Sequence, residues 1–194
     1  THDQSSAASD VYKRQVSALV AVDQYPQVVQ LLKFLEKNLS GSLTGFELMW
    51  QNTYTTMTQT LTQQQPPLPQ DYPYYIFVEC LGSEAQKDYQ RLETLIGEAM
   101  ENGMITDAAL MNSDRDLNFL WLLREDVAVL ASQGKFDQHF DISLPIPKIG
   151  ILISEIQNNL EALPFVSHAF AFGHVADGNI HFIVGKNDDS EASR

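Results

Sequence analysis

The chain has 194 residues, of which 25 are acidic and 12 are basic, so its net charge at neutral pH is −13. This surplus of carboxylates disfavours binding to duplex nucleic acid or to anionic lipid, because both ligands require cations on the protein. No stretch approaches the ~20 apolar residues of a membrane-spanning helix, and the single cysteine excludes an internal disulfide. Cys80 lies in an apolar run and is expected to be a small core residue.

The first half of the chain predicts two strand–helix units and a connector. Apolar β-branched residues predict a strand over 16–23, and apolar residues at helical spacing predict a helix from Pro26 to Leu39. Residues 43–50 predict a second strand that runs directly into a helix over 50–61. The polar, proline-rich stretch over 62–73 is the best candidate for an internal boundary.

The second half predicts further strands that alternate with helices. Strands are expected over 74–81, 105–111, 140–144, 165–172 and 180–184, and helices over 83–101, 115–132 and 147–163. Ser113 or Asp114 is the expected N-cap of the helix over 115–132. This order predicts an α+β fold with ferredoxin-like antiparallel sheet layers and with helices packed on one face.

The segment from His174 to His181, with the sequence HVADGNIH, predicts a β-hairpin that carries one histidine on each strand. Asp-Gly between apolar runs favours a two-residue turn, which would place His174 directly opposite His181 with Cβ atoms ~5 Å apart. Two imidazoles so placed could bind one divalent cation. The alternative is a hairpin with two unrelated histidines, since a catalytic zinc site usually has three protein ligands. His168, in the preceding strand, is expected to be structural.

Arg124 lies on the apolar side of its predicted helix, and no acidic residue is three or four positions away. It either binds an external carboxylate bidentately, or extends to solvent or pairs with a distant acid. Polar and apolar residues alternate over 139–145, which places His139, Asp141 and Ser143 on one side of a strand. His139 could contact a ligand, whereas Asp141 could orient a histidine or cap a turn.

Four segments together resemble the C-terminal, substrate-side region of the FAD-linked oxidases in the vanillyl-alcohol-oxidase superfamily. They are GFELM at 45–49, LWLLRE at 120–125, FDISLP at 140–145 and FGHVADGNIH at 172–181. The similarity is greatest to the D-2-hydroxyglutarate and D-lactate dehydrogenase branch, and it extends over about 16–186. Residues 1–15 are expected to be a disordered or non-native terminus, and 187–194 a polar tail.

The resemblance implies a function and a set of site residues. His174 and His181 would bind a divalent metal, usually zinc; Arg124 and His139 would contact the substrate; and Asn179 would contact the cofactor. Hydride would pass from C2 of a D-2-hydroxy acid to FAD, which is bound mainly by an N-terminal domain in the family.

The resemblance also implies that part of the site lies outside the sequence. In the family, the third metal ligand and the general base come from a Glu-His-Gly motif further along the chain. The general base is therefore expected downstream of Arg194, and no catalytic residue is expected within these 194 residues.

Three positions depart from the hydroxyglutarate branch: Ala128 replaces a Thr, His139 a Lys and Ile183 an Asn. Because of these changes, the resemblance does not identify which 2-hydroxy acid is the substrate. The FAD domain and the Glu-His-Gly motif do not occur in the sequence, which suggests a fragment that is inactive alone. A homodimer, an unidentified electron acceptor, no nucleic-acid partner and a bacterial-type cytoplasmic location are further expectations.

Two other functional classes compete with the dehydrogenase interpretation. A non-catalytic α+β module that binds a metal or a small acid would show the same order of strands and helices. A free-standing metallohydrolase is disfavoured, because neither a third metal ligand nor a general base is evident.

Overall fold

The computed structural model describes residues 15–60, 65–111 and 136–187, together with residues 113, 116, 118, 119, 122, 123, 129, 130 and 133. The strands are β1 (Gln15–Val22), β2 (Leu43–Trp50), β3 (Tyr74–Leu81), β4 (Asp107–Leu110), β5 (Gln138–Ser143), β6 (Val166–His174) and β7 (Asn179–Lys186). The helices are α1 (Tyr25–Leu39), α2 (Gln51–Thr60), α3 (Ala85–Glu101) and α4 (Ile146–Glu161). These elements confirm the predicted order. Most of the predicted helix over 115–132 lies outside the described residues.

The strands form one antiparallel sheet in the order β4-β1-β3-β2-β6-β7-β5. The first four strands, with the helices between them, have the strand order of a ferredoxin-like βαββαβ unit. The last three strands extend the same sheet beyond β2. The predicted α+β class with ferredoxin-like antiparallel layers is therefore confirmed.

Each face of the sheet carries its own apolar cluster. Helices α1, α3 and α4 cover one face, where Leu35, Ile96 and Ile153 belong to a common buried core. Cys80 belongs to the same core and is 2% exposed, as the sequence predicts. Helix α2 is the exception, since its Tyr54 and Met57 pack into the cluster on the opposite face.

The end of β2 and the start of α2 together dock strand β6. Backbone pairing between β2 and β6 covers only Glu47, Leu48 and Met49 on the β2 side. Beyond this point, Asn52 Nδ2 donates to the Ala169 carbonyl at 2.7 Å, and Thr53 Oγ1 donates to the Ala171 carbonyl at 3.0 Å. Side chains of α2 thus replace the missing strand partner and hold β6 beside β2.

Stacked tyrosines anchor the described part of the proline-rich connector. The rings of Tyr54 and Tyr75 stack with centroids 3.7 Å apart, and their hydroxyls donate to the carbonyls of Leu68 and Pro69 at 3.2 and 2.5 Å. Burial raises the pKa of Tyr75 to about 12. None of the helices in the described ranges has both the length and the apolar content needed to cross a bilayer.

Candidate functional site

The connection between β6 and β7 differs from the predicted two-residue turn. Phe172, rather than His174, lies opposite His181, and residues Val175–Asp177 form a short 3₁₀ turn. Gly178 follows with φ +72°, and its N–H donates to the Val175 carbonyl at 3.0 Å. The predicted register is wrong because the expected turn needs positive φ at both central residues, whereas Asp177 does not have it.

The two histidines nevertheless lie on the same face of the sheet. Side chains two residues apart in a strand point to the same side, so His174 shares the side of Phe172 and of its partner His181. The imidazole centroids are 5.6 Å apart, and the rings meet edge to face at 82°. The structure thus brings together the pair that the sequence singled out.

A carboxylate lies next to the Nδ1 atom of each imidazole. His174 is opposite Glu47 of β2, and its Nδ1 is 2.6 Å from Glu47 Oε1. His181 is opposite Asp141 of β5, and its Nδ1 contacts Asp141 Oδ1. Among the described residues, neither Nε2 atom has a hydrogen-bond partner. The ring nitrogens that remain available are therefore the two Nε2 atoms.

Two further predicted site residues lie on the same side of the sheet. Exposed His139 precedes Asp141 by two residues in β5, and Asn179 precedes His181 by two residues in β7. His139 is paired with Ile183, which is 1% exposed. A cavity of about 300 Å³ is bounded by His139, Asp141, Phe172, His181 and Ile183 among others.

Several positions that carry predictions from the sequence lie outside the described residues, among them Asp114, the alternative N-cap of the helix over 115–132. Arg124 and Ala128 belong to the predicted helix over 115–132, and Arg194 is the residue downstream of which the general base is expected. The substrate contact of Arg124 and the location of the base beyond Arg194 therefore stay predictions.

His168 has a separate set of contacts. Its Nε2 is 3.2 Å from Asp137 Oδ2, its Nδ1 is 3.0 Å from Ser167 Oγ, and its ring stacks on Phe170 with centroids 4.8 Å apart. These contacts tie the start of β6 to the chain before β5. They agree with the structural role that the sequence predicts for His168.

Glu47 is the residue of this site that the sequence analysis did not single out. It occurs in GFELM, where it is flanked by Phe46, Leu48 and Met49, which are all buried. A carboxylate in an otherwise apolar strand was the available signal. Its partner could not be identified without the register between β2 and β6, which joins residues more than one hundred positions apart.

The described residues contain no group of three or more His, Cys, Asp or Glu side chains that could hold a metal ion. The donor set found there consists of two imidazoles, each with a carboxylate on the nitrogen away from a prospective ligand. Carboxylate-supported imidazoles are typical of metal-binding histidines. This chemistry fits part of a metal site.

Comparisons with known proteins agree with this fold. The model of the family described as FAD linked oxidases, C-terminal domain, matches residues 12–194. A Schizosaccharomyces pombe protein with the provisional name of a mitochondrial D-lactate dehydrogenase is 31% identical over 86% of this chain and 33% of its own length. The mitochondrial D-2-hydroxyglutarate dehydrogenase of Rattus norvegicus is 27% identical over 86% of this chain and 30% of its own length.

A solved structure shows the same fold at low sequence identity. An alkyldihydroxyacetonephosphate synthase superimposes with a TM-score of 0.54 over 89% of this chain and 36% of its own, at 9% identity. The chain spans about a third of the length of the two curated relatives. The family match covers nearly every residue, and the chain therefore belongs to the family of FAD-linked oxidase C-terminal domains.

Proposed function

We propose that this chain is the substrate-side part of an FAD-dependent dehydrogenase that oxidises a D-2-hydroxy acid to the 2-oxo acid. The observation that carries the proposal is the convergence of His174 and His181 on one sheet face, each with a carboxylate at Nδ1. The family match and the names of the two relatives support the same reaction class.

In this proposal, His174 and His181 hold a divalent cation, zinc in the first instance, through their Nε2 atoms. When bound, the cation supplies Lewis-acid polarisation of the substrate 2-hydroxyl, and FAD accepts the hydride. Since a catalytic metal normally has three protein ligands, the remaining ligand and the general base are assigned to the Glu-His-Gly motif that the family carries downstream of the position of Arg194.

Other side chains bind and orient the substrate and the cofactor. Arg124 binds the substrate carboxylate, because a guanidinium can donate two parallel hydrogen bonds to it. His139 contacts the substrate from the edge of the cavity beside His181. Toward FAD, the half-buried amide of Asn179 offers both a donor and an acceptor, and the larger part of the FAD site is assigned to another domain.

The proposal specifies a D-2-hydroxy acid but not the side chain that its C2 atom carries. Ile183 is buried beside the cavity, at a position where the hydroxyglutarate branch has a polar side chain. An apolar side chain there weakens the case for a second carboxylate on the substrate. A panel of D-2-hydroxy acids with apolar and with carboxylate tails resolves this point.

The test uses the full-length protein to which the chain belongs. Mixing it with the panel of acids should bleach the flavin absorbance for at least one acid, and His174→Ala or His181→Ala should abolish both the bleaching and the bound metal. His168→Gln is the control, because His168 has its own partners, and its metal content should equal that of the unmodified protein. Unchanged metal content in both alanine variants would rule out the metal role of the pair.

A second candidate is a non-catalytic module that binds a metal or a small acid. It is favoured by one observation, namely that the described donor set stops at two imidazoles. Zinc or acid binding by a full-length protein that contains no flavin would support it over the dehydrogenase. The homodimer and the cytoplasmic location stay predictions, and both curated relatives carry names that place them in mitochondria.

A further inference from the structure

We propose that Glu47 is a positioning residue for His174: its carboxylate holds the imidazole proton on Nδ1 and thereby presents Nε2 to a ligand. The assignment of a metal as that ligand rests on the proposed function, whereas the placement of the proton does not. Glu47 belongs to the GFELM segment, which the proposed reaction itself does not use.

The sheet register places the two groups together. Glu47 pairs with His174, and the next two pairs join Leu48 to Gly173 and Met49 to Phe172. The 2.6 Å contact between Glu47 Oε1 and His174 Nδ1 is therefore made by adjacent residues of a regular ladder rather than by two loop side chains. The ladder fixes both backbones, so the carboxylate and the ring are held within reach of each other.

Burial strengthens this contact relative to its counterpart at His181. The Glu47 side chain is 13% exposed, whereas that of Asp141, on edge strand β5, is 74% exposed. Water and salt screen an exposed charge pair much more than a buried one. Glu47 should consequently control the proton position on His174 more tightly than Asp141 controls that on His181.

The chemical consequence concerns the tautomer of the neutral imidazole. Only the nitrogen without a proton can bind a cation, and the hydrogen bond made by the other nitrogen decides which one that is. A carboxylate accepts from Nδ1–H and cannot donate to an unprotonated Nδ1, so it favours the form with the lone pair on Nε2. Loss of such a partner typically lowers metal affinity ~10–100-fold.

Nitrogen-15 NMR of the two histidines in the metal-free full-length protein tests the proton placement directly. In its neutral form, His174 should show the Nδ1–H pattern. Glu47→Met, which keeps the length of the side chain but removes the acceptor, should shift His174 toward Nε2–H. Asp141→Leu is the matched control, because it also removes a carboxylate and keeps the side chain of similar size, and it should change the pattern of His181 and leave that of His174 as it was.

Glu47→Gln provides a second variant of nearly unchanged shape if Glu47→Met folds poorly. A neutral amide oxygen accepts a hydrogen bond less strongly than a carboxylate, so the Nδ1–H population of His174 should fall by a smaller amount. A His174 pattern that is the same in the unmodified chain and in the folded variants would overturn the proposal.

Calorimetric titration of the same variants with zinc tests whether Glu47 also affects metal affinity. If the full-length protein binds zinc, Glu47→Met should weaken the affinity ~10–100-fold and Asp141→Leu should weaken it less. Equal affinities for the unmodified chain and Glu47→Met would overturn the role of Glu47 in metal binding. If the full-length protein binds no zinc but the tautomer of His174 depends on Glu47, the proposed metal fails while the positioning role stands.

Discussion

Replacing Gly173 by alanine should destabilise the chain and displace His174, because this glycine directly precedes the histidine and has neither the backbone conformation nor the space for a Cβ. Gly173 has φ +147°, a value that side chains with a Cβ rarely adopt. A Cβ at this position would lie 2.7 Å from the Asn179 carbonyl oxygen and 3.1 Å from Ile180 Cα. Both atoms belong to the backbone of β7, so the clash cannot be relieved by turning a side chain.

The expected cost has two parts. A backbone conformation of this kind costs a residue with a Cβ ~1–3 kcal/mol. Forcing an additional carbon into a filled space typically costs a further ~1–3 kcal/mol. Gly173→Ala should therefore lower the free energy of unfolding by roughly 2–6 kcal/mol, which is a large share of the ~5–15 kcal/mol of a typical domain.

Alanine variants at two other glycines separate the backbone cost from the packing cost in urea denaturation of the full-length protein. Gly103 has φ +68° but open space around its Cα, so Gly103→Ala should cost only the ~1–2 kcal/mol of the left-handed conformation. Gly97, within α3, has neither positive φ nor a close neighbour, and Gly97→Ala should stabilise by ~0.5–1 kcal/mol. The reasoning is refuted if Gly173→Ala costs no more than Gly103→Ala.

Three further predictions concern the fold around the site. Thr53→Val removes the hydroxyl that both donates to and accepts from the backbone of Ala171, and it should lower the free energy of unfolding in urea by ~1–3 kcal/mol. Thr60→Val, at an exposed site, is the control and should lower it by under ~0.5 kcal/mol. Burial raises the pKa of the Cys80 thiol to about 12, so a thiol reagent at mildly alkaline pH should modify Cys80 only after denaturation; rapid modification of the folded chain would contradict its burial. Burial also raises the pKa of Tyr75 from its ordinary value of 10.0 to about 12, so the neutral phenol stabilises the fold fully below pH 10 and this contribution is lost as the pH rises toward 12. Tyr75→Phe should flatten that alkaline loss of stability in unfolding curves, and an unchanged slope would exclude Tyr75 as its source.

Local pattern was sufficient to predict the strands and helices but not the faces they cover. The helical spacing of Val28, Leu31 and Leu35 predicts α1, because residues at this spacing form one apolar stripe that a helix can bury against the core. The structure buries all three side chains. Helix α2 has a weaker stripe with many Thr and Gln residues, and the chain order alone does not indicate the sheet face on which it packs. On that face Tyr54 and Met57 of α2 pack into the apolar cluster, while Asn52 and Thr53 bond to carbonyls of β6 more than one hundred residues away.

The same limit applied to the site, where residue types were predictable and their partners were not. His174 and His181 were found from their spacing, and Asp141 from the alternation of polar and apolar residues in its strand. Glu47 required the pairing of β2 with β6, a long-range register that no local pattern encodes. Arg124 lies outside the described residues, and its role stays a prediction.

The histidine pair was predicted correctly as a neighbouring pair from a register that is wrong, and the reason lies in the period of a strand. The expected turn placed residue 174 opposite His181, whereas the structure places Phe172 there, a shift of two residues. Because side chains alternate with a period of two, a shift of two changes the partner but retains the face; a shift of one would have turned the imidazoles to opposite sides of the sheet. The edge-to-face contact between His174 and His181 is thus a diagonal contact across β6 and β7. Each imidazole meets its carboxylate on the strand that lies on its other side, Glu47 on β2 for His174 and Asp141 on β5 for His181.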